Sequence, residues 1–267
     1  MEFNAHFGLR KTPFTREVAV SEMYAHPQRD EVLACLVRAV QQRMSAGLEA
    51  PAGFGKTAMI RALQDALSDV RFHAHYVKVT GLSKRDMCRE IAKSLGLAEP
   101  GTYPRLLRLV QEAVETRSQT DGVRTVIILD DAHEMRADVL GMFKALTNFE
   151  MDSRLVLSVV LVGQPPLSKL LRRADLADVA QRLSWYGELR ALSRDETHAY
   201  IAHRCTIAGA TRELFDDRAR EALYEMGRGN PRALDHLARR SLELAHKADD
   251  PTVGAAHVIS ARGTLRL

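Results

Sequence analysis

The sequence lacks long apolar runs and is poor in cysteine. No segment approaches the ~18 consecutive apolar residues of a membrane-spanning helix, and the first residues do not have the form of a signal peptide. The three cysteines, Cys35, Cys88 and Cys205, are far apart and have no metal-ligand spacing, so we expect buried, reduced thiols. These absences argue against a membrane-spanning protein and against a disulfide-stabilised secreted one. They predict a cytoplasmic location.

The composition is that of an ordinary globular protein with a mildly basic balance. The 267 residues are enough for one large domain or two small ones. Hydrophobic residues make up 46% and charged residues 27%, as in many soluble domains. The net charge is +4 and the pI is near 9.0, which is compatible with a nucleic-acid partner but does not establish one.

Strand and helix patterns alternate up to about residue 192, and only helical patterns follow. Strands are predicted at 46–50, 71–79, 123–130, 155–162 and 184–190. Helices are predicted at 28–44, directly after residue 57, at 83–95, 103–117 and 136–147, as two short helices in 167–183, and at 194–208, 216–227, 231–247 and 253–262. Residues 1–27 are expected to be an irregular but packed arm, and Glu49 makes the first strand weak for a central position. The sequence therefore predicts an α/β domain over 1–192, which includes the arm, and a helical domain over 193–267.

Residues 50–57 have the form of a phosphate-binding loop between a strand and a helix. Gly53 and Gly55 allow the backbone N–H groups to point at phosphate oxygens, Lys56 supplies a cation for the β- and γ-phosphates, and Thr57 offers a hydroxyl to Mg²⁺. Ala50 replaces the first glycine of the G-x-x-x-x-G-K-[ST] pattern, and an ordinary glycine-rich turn is the alternative. The predicted nucleotide-binding set is Ala52, Gly53, Phe54, Gly55, Lys56, Thr57 and Ala58.

A second motif, Thr-Val-Ile-Ile-Leu-Asp-Asp at residues 125–131, ends an apolar run in two carboxylates. Continuous apolarity is typical of a strand buried on both faces of a parallel sheet, whose ligands lie at the carboxyl ends of the strands. There Asp130 is predicted to hold the Mg²⁺ shell through water, and Asp131 to polarise the attacking water. A strand followed by a turn-forming Asp pair is the alternative.

A parallel α/β core with a phosphate-binding loop, followed by a small all-helical domain, resembles the AAA+ ATPases of the P-loop NTPase class. The resemblance implies that the helical domain is a lid, that the ligand is ATP and that Mg²⁺ is the cofactor. It also implies three further catalytic side chains: Gln164 at the sensor-1 position, Arg232 in Gly-Asn-Pro-Arg as sensor 2, and Arg182 as an arginine finger. Arg172 and Arg173 are rivals for the finger, and a solvent-facing side chain is the alternative for Arg232.

The same resemblance identifies one departure from the family pattern and one further candidate residue. Asp131 stands where a Glu is usual, and its carboxylate is one methylene shorter, which predicts slow hydrolysis. Thr80, at the end of the second predicted strand, is a candidate for coupling the acidic pair to the bound ligand.

Four further segments are similar to the ExeA-type ATPases within this class. They are Phe7-Gly8-Leu9-Arg10 with Pro13-Phe14, residues 146–153, residues 162–167 and residues 192–197. This family includes secretion-associated members and shorter members encoded beside transposases, of the TniB, TnsC, MuB and IstB kind. Secretion members usually carry a membrane segment and a cell-wall-binding domain after the ATPase, and this sequence ends at Leu267 with neither. We therefore favour the transposition branch.

The resemblance to transposon ATPases implies self-assembly as a ring or helical filament around double-stranded DNA, together with a transposase partner and no membrane. Lys84 and Arg85, at a predicted helix start after the second strand, suit sequence-independent phosphate contacts. A solvated helix end is the alternative, and Arg136 is a weaker DNA candidate.

Two other functions stay open on the sequence alone. The first is an ATPase of a secretion or envelope assembly machine, and the second is a P-loop kinase or other phosphotransferase. The candidate lid arginine, the candidate finger and the absence of a visible acceptor site argue against the phosphotransferase. His73, His75 and His133 do not have the spacing of a metal site.

Overall fold

The computed structural model describes residues 2–67, 70–97, 101–151 and 153–264. Asp152 of the 146–153 motif, and residues 1 and 265–267 of the predicted domains, lie outside the described residues. The chain divides into two compact units. The α/β unit comprises Pro27–Ala52 and Lys56–Leu189, and the helical unit comprises Met1–His26, Gly53–Gly55 and Arg190–Leu267.

The α/β unit is built on a five-stranded parallel sheet in its described residues, with strand order β2-β3-β4-β1-β5. The strands are β1 (Ser45–Glu49), β2 (Phe72–Lys78), β3 (Arg124–Asp130), β4 (Leu157–Gly163) and β5 (Leu183–Glu188). The central strands β1, β3 and β4 are buried along almost their whole length, whereas β5 and parts of β2 at the edges alternate between more and less buried residues. This pattern is expected when both faces of a parallel sheet are covered, and it confirms the predicted α/β fold class.

Glu49 is compatible with a central strand because its carboxylate is satisfied inside the fold. It is 8% exposed, and its Oε2 accepts hydrogen bonds from the Tyr186 hydroxyl and the Ser168 amide, both at 2.9 Å. A Cβ on Gly47 would collide with the Tyr186 ring, so the glycine leaves room for the tyrosine that binds Glu49. The weakness expected of β1 is therefore absent, since a buried carboxylate with two donors is tolerated.

The helices lie close to their predicted positions. Numbered in chain order, those of the described residues are α1 (Glu2–His6), α2 (Pro27–Gln41), α3 (Lys56–Ala66), α4 (Lys84–Ser94), α5 (Tyr103–Thr120), α6 (Ala137–Leu140), α7 (Met142–Leu146), α8 (Pro166–Leu171), α9 (Ala177–Gln181), α10 (Arg194–Ile207), α11 (Asp217–Gly227), α12 (Pro231–Lys247) and α13 (Ala255–Thr264). The single helix predicted over 136–147 is instead two short helices that meet at Gly141, a residue with low helix propensity.

The helical unit contains the N-terminal arm as well as α10–α13. Phe7 and Phe14 are 1% and 4% exposed and belong to the same buried cluster as Leu223 and Leu234. The arm thus packs in the helical unit, whereas the predicted domains placed it with the α/β core. It is also more regular than expected, with α1 and a 3₁₀ turn at Val20–Glu22. In the part of the chain that the structure describes, no helix combines the length and apolarity needed to cross a bilayer.

Candidate nucleotide-binding site

The phosphate-binding loop connects β1 to α3 and needs glycine at two positions. Gly53 and Gly55 have φ of +86° and +90°, the left-handed region that disfavours residues with a Cβ. A Cβ on Gly53 would also lie 2.5 Å from Asn230 Oδ1 and 2.9 Å from Arg232 Cβ within the helical unit, whereas one on Gly55 would meet nothing within 4 Å. Gly53 is therefore required by both its backbone conformation and its close neighbours.

Lys56 is the first residue of α3, and its ammonium group lies over the loop. Its Nζ donates hydrogen bonds to the carbonyl oxygens of Ala50 at 2.7 Å and Pro51 at 3.0 Å. Ala50, in place of the usual glycine, is buried and does not have a positive φ, so its methyl group introduces no backbone strain. In the remainder of the set, Ala52 and Thr57 are exposed, while Phe54 and Ala58 are half-buried.

Asp130 ends β3 with a buried and firmly oriented carboxylate. It is 6% exposed; its Oδ1 accepts a hydrogen bond from the Asp131 amide at 2.9 Å, and its Oδ2 accepts one from the Tyr76 hydroxyl at 3.0 Å. Partial burial, reinforced by the charge of Asp130, raises the pKa of Tyr76 to about 12, and the hydroxyl donates at neutral pH. Both donors are uncharged, which leaves the negative charge of Asp130 available to a cation.

Asp131 follows in a left-handed conformation, with φ of 57° and ψ of 33°. Asp is one of the few residues that adopt this region at small cost, and the conformation turns the chain sharply at the end of β3. Lys78 Nζ lies 4.0 Å from Asp131 Oδ2, and both side chains are substantially exposed. Such an ion pair is weak in water and leaves the carboxylate accessible.

Gln164 lies directly after β4 and contacts a buried histidine. Its Nε2 is 2.9 Å from His133 Nε2, and the His133 side chain is 7% exposed. The register pairs Glu49 with Gly163 and Leu129 with Leu161, so the carboxyl ends of β1, β3 and β4 lie at one edge of the sheet. The structure thus brings the loop, the acidic pair and Gln164 to the same edge.

The arginine candidates occupy different settings. Arg182 caps the end of α9 through its backbone amide, which donates to the Val179 carbonyl oxygen at 3.2 Å. Arg173 forms a two-pronged pair with Asp175, at 2.9 and 3.0 Å, whereas Arg172 is exposed.

Arg232 is the second residue of α12, and its exposed side chain extends from a well-capped helix start. The Asn230 side chain accepts hydrogen bonds from the Arg232 amide at 3.0 Å and the Ala233 amide at 3.3 Å. The Arg232 amide also lies 3.2 Å from the Gly53 carbonyl oxygen. Within the helical unit, the candidate sensor-2 residue therefore lies beside Gly53.

The DNA candidates lie at the start of α4, where Ser83 accepts a hydrogen bond from the Asp86 amide at 3.2 Å. Lys84 is half-buried and Arg85 is exposed, and Arg85 Nε donates to the Gly101 carbonyl oxygen at 2.9 Å. Arg136, the weaker candidate, pairs with Asp138 at 3.1 Å.

Sequence reasoning missed two side chains that contact the site, Tyr76 and His133. The alternation of side chains along β2 puts Tyr76 and Lys78 on one face, and this pattern can be read from the sequence. Contact between Tyr76 and Asp130, however, depends on the order of the strands in the sheet. His133 was considered only as a metal ligand, and its contact with Gln164 depends on the tertiary fold.

Comparison with known proteins agrees with this geometry. A protein-family model described as an AAA domain matches residues 39–171. General secretion pathway protein A of Aeromonas hydrophila is 29% identical over 249 residues, which are 91% of this chain but 45% of that protein. The chain therefore spans less than half the length of this curated relative.

The fold is also similar to those of solved structures. Cdc6p from Pyrobaculum aerophilum has a TM-score of 0.73 at 19% identity, and the alignment covers 93% of this chain and 69% of the Cdc6p chain. The Aeropyrum pernix ORC1 protein in complex with DNA has a TM-score of 0.69 at 18% identity, and the alignment covers 96% of this chain and 69% of the ORC1 chain. The Thermotoga maritima RuvB Holliday junction branch migration motor has a TM-score of 0.64 at 19% identity, and the alignment covers 94% of this chain and 73% of the RuvB chain. With the phosphate-binding loop and the matched AAA domain over residues 39–171, the chain has the P-loop fold of the AAA+ ATPases.

Proposed function

We propose that the chain is an ATP-dependent, DNA-binding regulator of transposition that assembles on target DNA and recruits or activates a transposase. The proposal includes ATP with Mg²⁺ at the carboxyl edge of the sheet. Thr57 and Asp130 would hold Mg²⁺, which would neutralise part of the negative charge of the phosphates. The boundary between core and lid at residues 192 and 193, and the cytoplasmic location, belong to the same proposal.

The residues present fit this ligand. Lys56 is held above the loop by carbonyl oxygens, and Thr57 follows it on the exposed start of α3. Two uncharged donors orient the Asp130 carboxylate, and its negative charge suits contact with metal-bound water. In this assignment Lys56 binds the phosphates, Thr57 and Asp130 hold the metal ion, and Asp131 accepts a proton from the attacking water.

The remaining catalytic assignments concern the γ-phosphate. Gln164, kept in place by His133, orients the attacking water. Arg232 approaches the phosphates from the same subunit, and Arg182 projects into the site of a neighbouring subunit. Head-to-tail contacts of this kind produce a ring if the rotation closes and a helical filament if it does not.

The observation that carries the DNA proposal is the similarity of 96% of the chain to the fold of ORC1, a protein solved in complex with DNA. In this chain, the segment after β2 begins the 11-residue helix α4 with Lys84 and Arg85. A cation pair at a helix start favours phosphate contacts that ignore base sequence. The similarity to General secretion pathway protein A favours a second candidate, an ATPase of a secretion or envelope assembly machine.

Salt dependence of duplex binding tests the DNA surface. Each lost phosphate contact reduces the slope of log affinity against log salt by about 0.9. A Lys84→Ala/Arg85→Ala double variant should therefore flatten the slope by about 1.8 and weaken duplexes of different sequence alike.

A matched variant separates local contacts from net charge. Arg89→Ala/Lys93→Ala removes the same charge from exposed positions further along α4. It should leave the slope close to that of the parent protein. An equal flattening of the slope in the two double variants would contradict the placement of the DNA at the start of α4.

The partner distinguishes the two candidate functions. A transposase encoded beside this gene should bind the ATP- and DNA-bound protein and gain strand-transfer activity on the bound duplex. A parent protein that shifts no duplex with ATP at low salt, yet binds an envelope component in an ATP-dependent way, would favour the secretion candidate.

A further inference from the structure

The edge strand β2 contributes a side chain to the acidic pair of its neighbour. Lys78 is the register partner of Asp130, and Tyr76 lies two residues earlier beside Ile128. Diagonal neighbours across paired strands are within reach of an aromatic side chain. The Tyr76 hydroxyl uses this reach to donate to Asp130 Oδ2 at 3.0 Å.

Both oxygens of the Asp130 carboxylate therefore have a protein donor. Oδ1 is bound by the Asp131 amide at 2.9 Å, and Oδ2 by the Tyr76 hydroxyl. Two donors on opposite oxygens fix the plane of the carboxylate, whereas one donor would leave it free to rotate. An ionised carboxylate has about four acceptor positions, so two positions stay available for metal-bound water.

The setting of Tyr76 argues against a purely structural role. The residue is 41% exposed, so its hydroxyl could be hydrated without Asp130, and the ring is not a deeply buried part of the core. Tyr186 provides a contrast in the same sheet: its hydroxyl binds the Glu49 carboxylate at 2.9 Å, but Glu49 belongs to β1 and not to the acidic pair.

We propose that Tyr76 is a positioning residue for the metal ion, which orients the Asp130 carboxylate toward Mg²⁺ of the bound nucleotide. This inference rests on the proposed metal role of Asp130. Hydrogen-bond donors to metal-binding carboxylates typically change metal affinity by about 10- to 100-fold when they are removed. Because Asp130 contacts the metal through water in the proposed site, we expect the lower end of that range.

The test is the Mg²⁺ dependence of ATP binding by the full chain. Binding of a fluorescent, slowly hydrolysed ATP analogue is measured across a Mg²⁺ titration and in EDTA, so that the readout does not depend on turnover. Tyr76→Phe should raise the Mg²⁺ concentration for half-maximal enhancement about tenfold and leave binding in EDTA unchanged. Tyr186→Phe, which removes a similar tyrosine–carboxylate bond, should leave both quantities unchanged.

Asp130→Asn and the double variant Tyr76→Phe/Asp130→Asn complete the design. If Tyr76 acts through Asp130, the tyrosine change should have no further effect on Mg²⁺ dependence in the Asp130→Asn background. An altered Mg²⁺ dependence in Asp130→Asn with none in Tyr76→Phe would overturn the inference and leave the metal site intact. An Asp130→Asn protein with the Mg²⁺ dependence of the parent would instead overturn the metal role of Asp130, and the inference with it. Thermal unfolding of each variant confirms that the folded protein is compared.

Discussion

Substitution of the two loop glycines by alanine separates backbone strain from contact with the start of α12. Gly53 and Gly55 have nearly the same φ, +86° and +90°. Only at Gly53 would the new methyl group meet other atoms, at 2.5 Å from Asn230 Oδ1 and 2.9 Å from Arg232 Cβ. Gly55→Ala is therefore a matched control for Gly53→Ala.

The magnitudes follow from the structure. A left-handed alanine costs about 1–2 kcal/mol at either position. At Gly53 the methyl group would also displace the Asn230 side chain, which caps α12 by accepting hydrogen bonds from the Arg232 and Ala233 amides. Loss of an N-cap costs about 1 kcal/mol. We thus expect Gly53→Ala to lower the free energy of unfolding by about 1 kcal/mol more than Gly55→Ala.

Urea unfolding followed by circular dichroism measures this difference. Asn230→Ala alone should lose the cap, and adding Gly53→Ala to it should then cost the backbone strain and the contact with Arg232 Cβ, but no second loss of the cap. The reasoning is refuted if Gly53→Ala and Gly55→Ala lower the free energy of unfolding equally, or if the losses from Gly53→Ala and Asn230→Ala add in full.

Three further predictions concern rate, assembly and pH. Asp131→Glu should raise ATP turnover or at least preserve it, since the longer carboxylate reaches the water better; an Asp131→Asn protein as fast as the parent contradicts this role. Arg182→Ala and Lys56→Ala proteins should be inactive alone and recover some ATPase activity when mixed; no recovery in confirmed mixed assemblies would contradict the role of Arg182 and make Arg172 and Arg173 the next candidates. Hydrogen bonding from Arg190 lowers the pKa of Glu196 from 4.5 to about 2, so its stabilisation is present above about pH 4.5 and lost as pH falls toward 2. Unfolding free energies across this range should show a smaller acid loss in Glu196→Gln than in the parent protein.

Local patterns in the sequence predicted most of the fold. Apolar periodicity located the strands and helices, and α10 begins at Arg194 as predicted, with a capping box formed by Ser193 and Glu196. The phosphate-binding loop and the acidic pair could be identified because their chemistry depends on residues that are adjacent in sequence. Fold class and the edge of the sheet that carries the site follow from these same patterns.

Features that depend on tertiary contacts were not predictable. The burial of Glu49 in β1 requires Tyr186 and Ser168, more than 100 residues away, as partners. The arm was placed in the α/β domain because its sequence precedes that domain, but Phe7 and Phe14 find their apolar neighbours in the helical unit. The contacts of Tyr76 with Asp130 and of His133 with Gln164 depend on strand order, which the sequence does not state.

ATP-dependent binding to duplex DNA is the most direct test of the account. The parent protein and Lys56→Ala, whose fold is checked by circular dichroism, are each titrated onto two duplexes of unrelated sequence at low salt, with and without ATP and Mg²⁺. The account predicts that the parent protein binds both duplexes alike only with ATP, and that Lys56→Ala binds neither because it has lost the phosphate-binding cation. Failure of the parent to bind any duplex with ATP, or undiminished binding by Lys56→Ala, would contradict it.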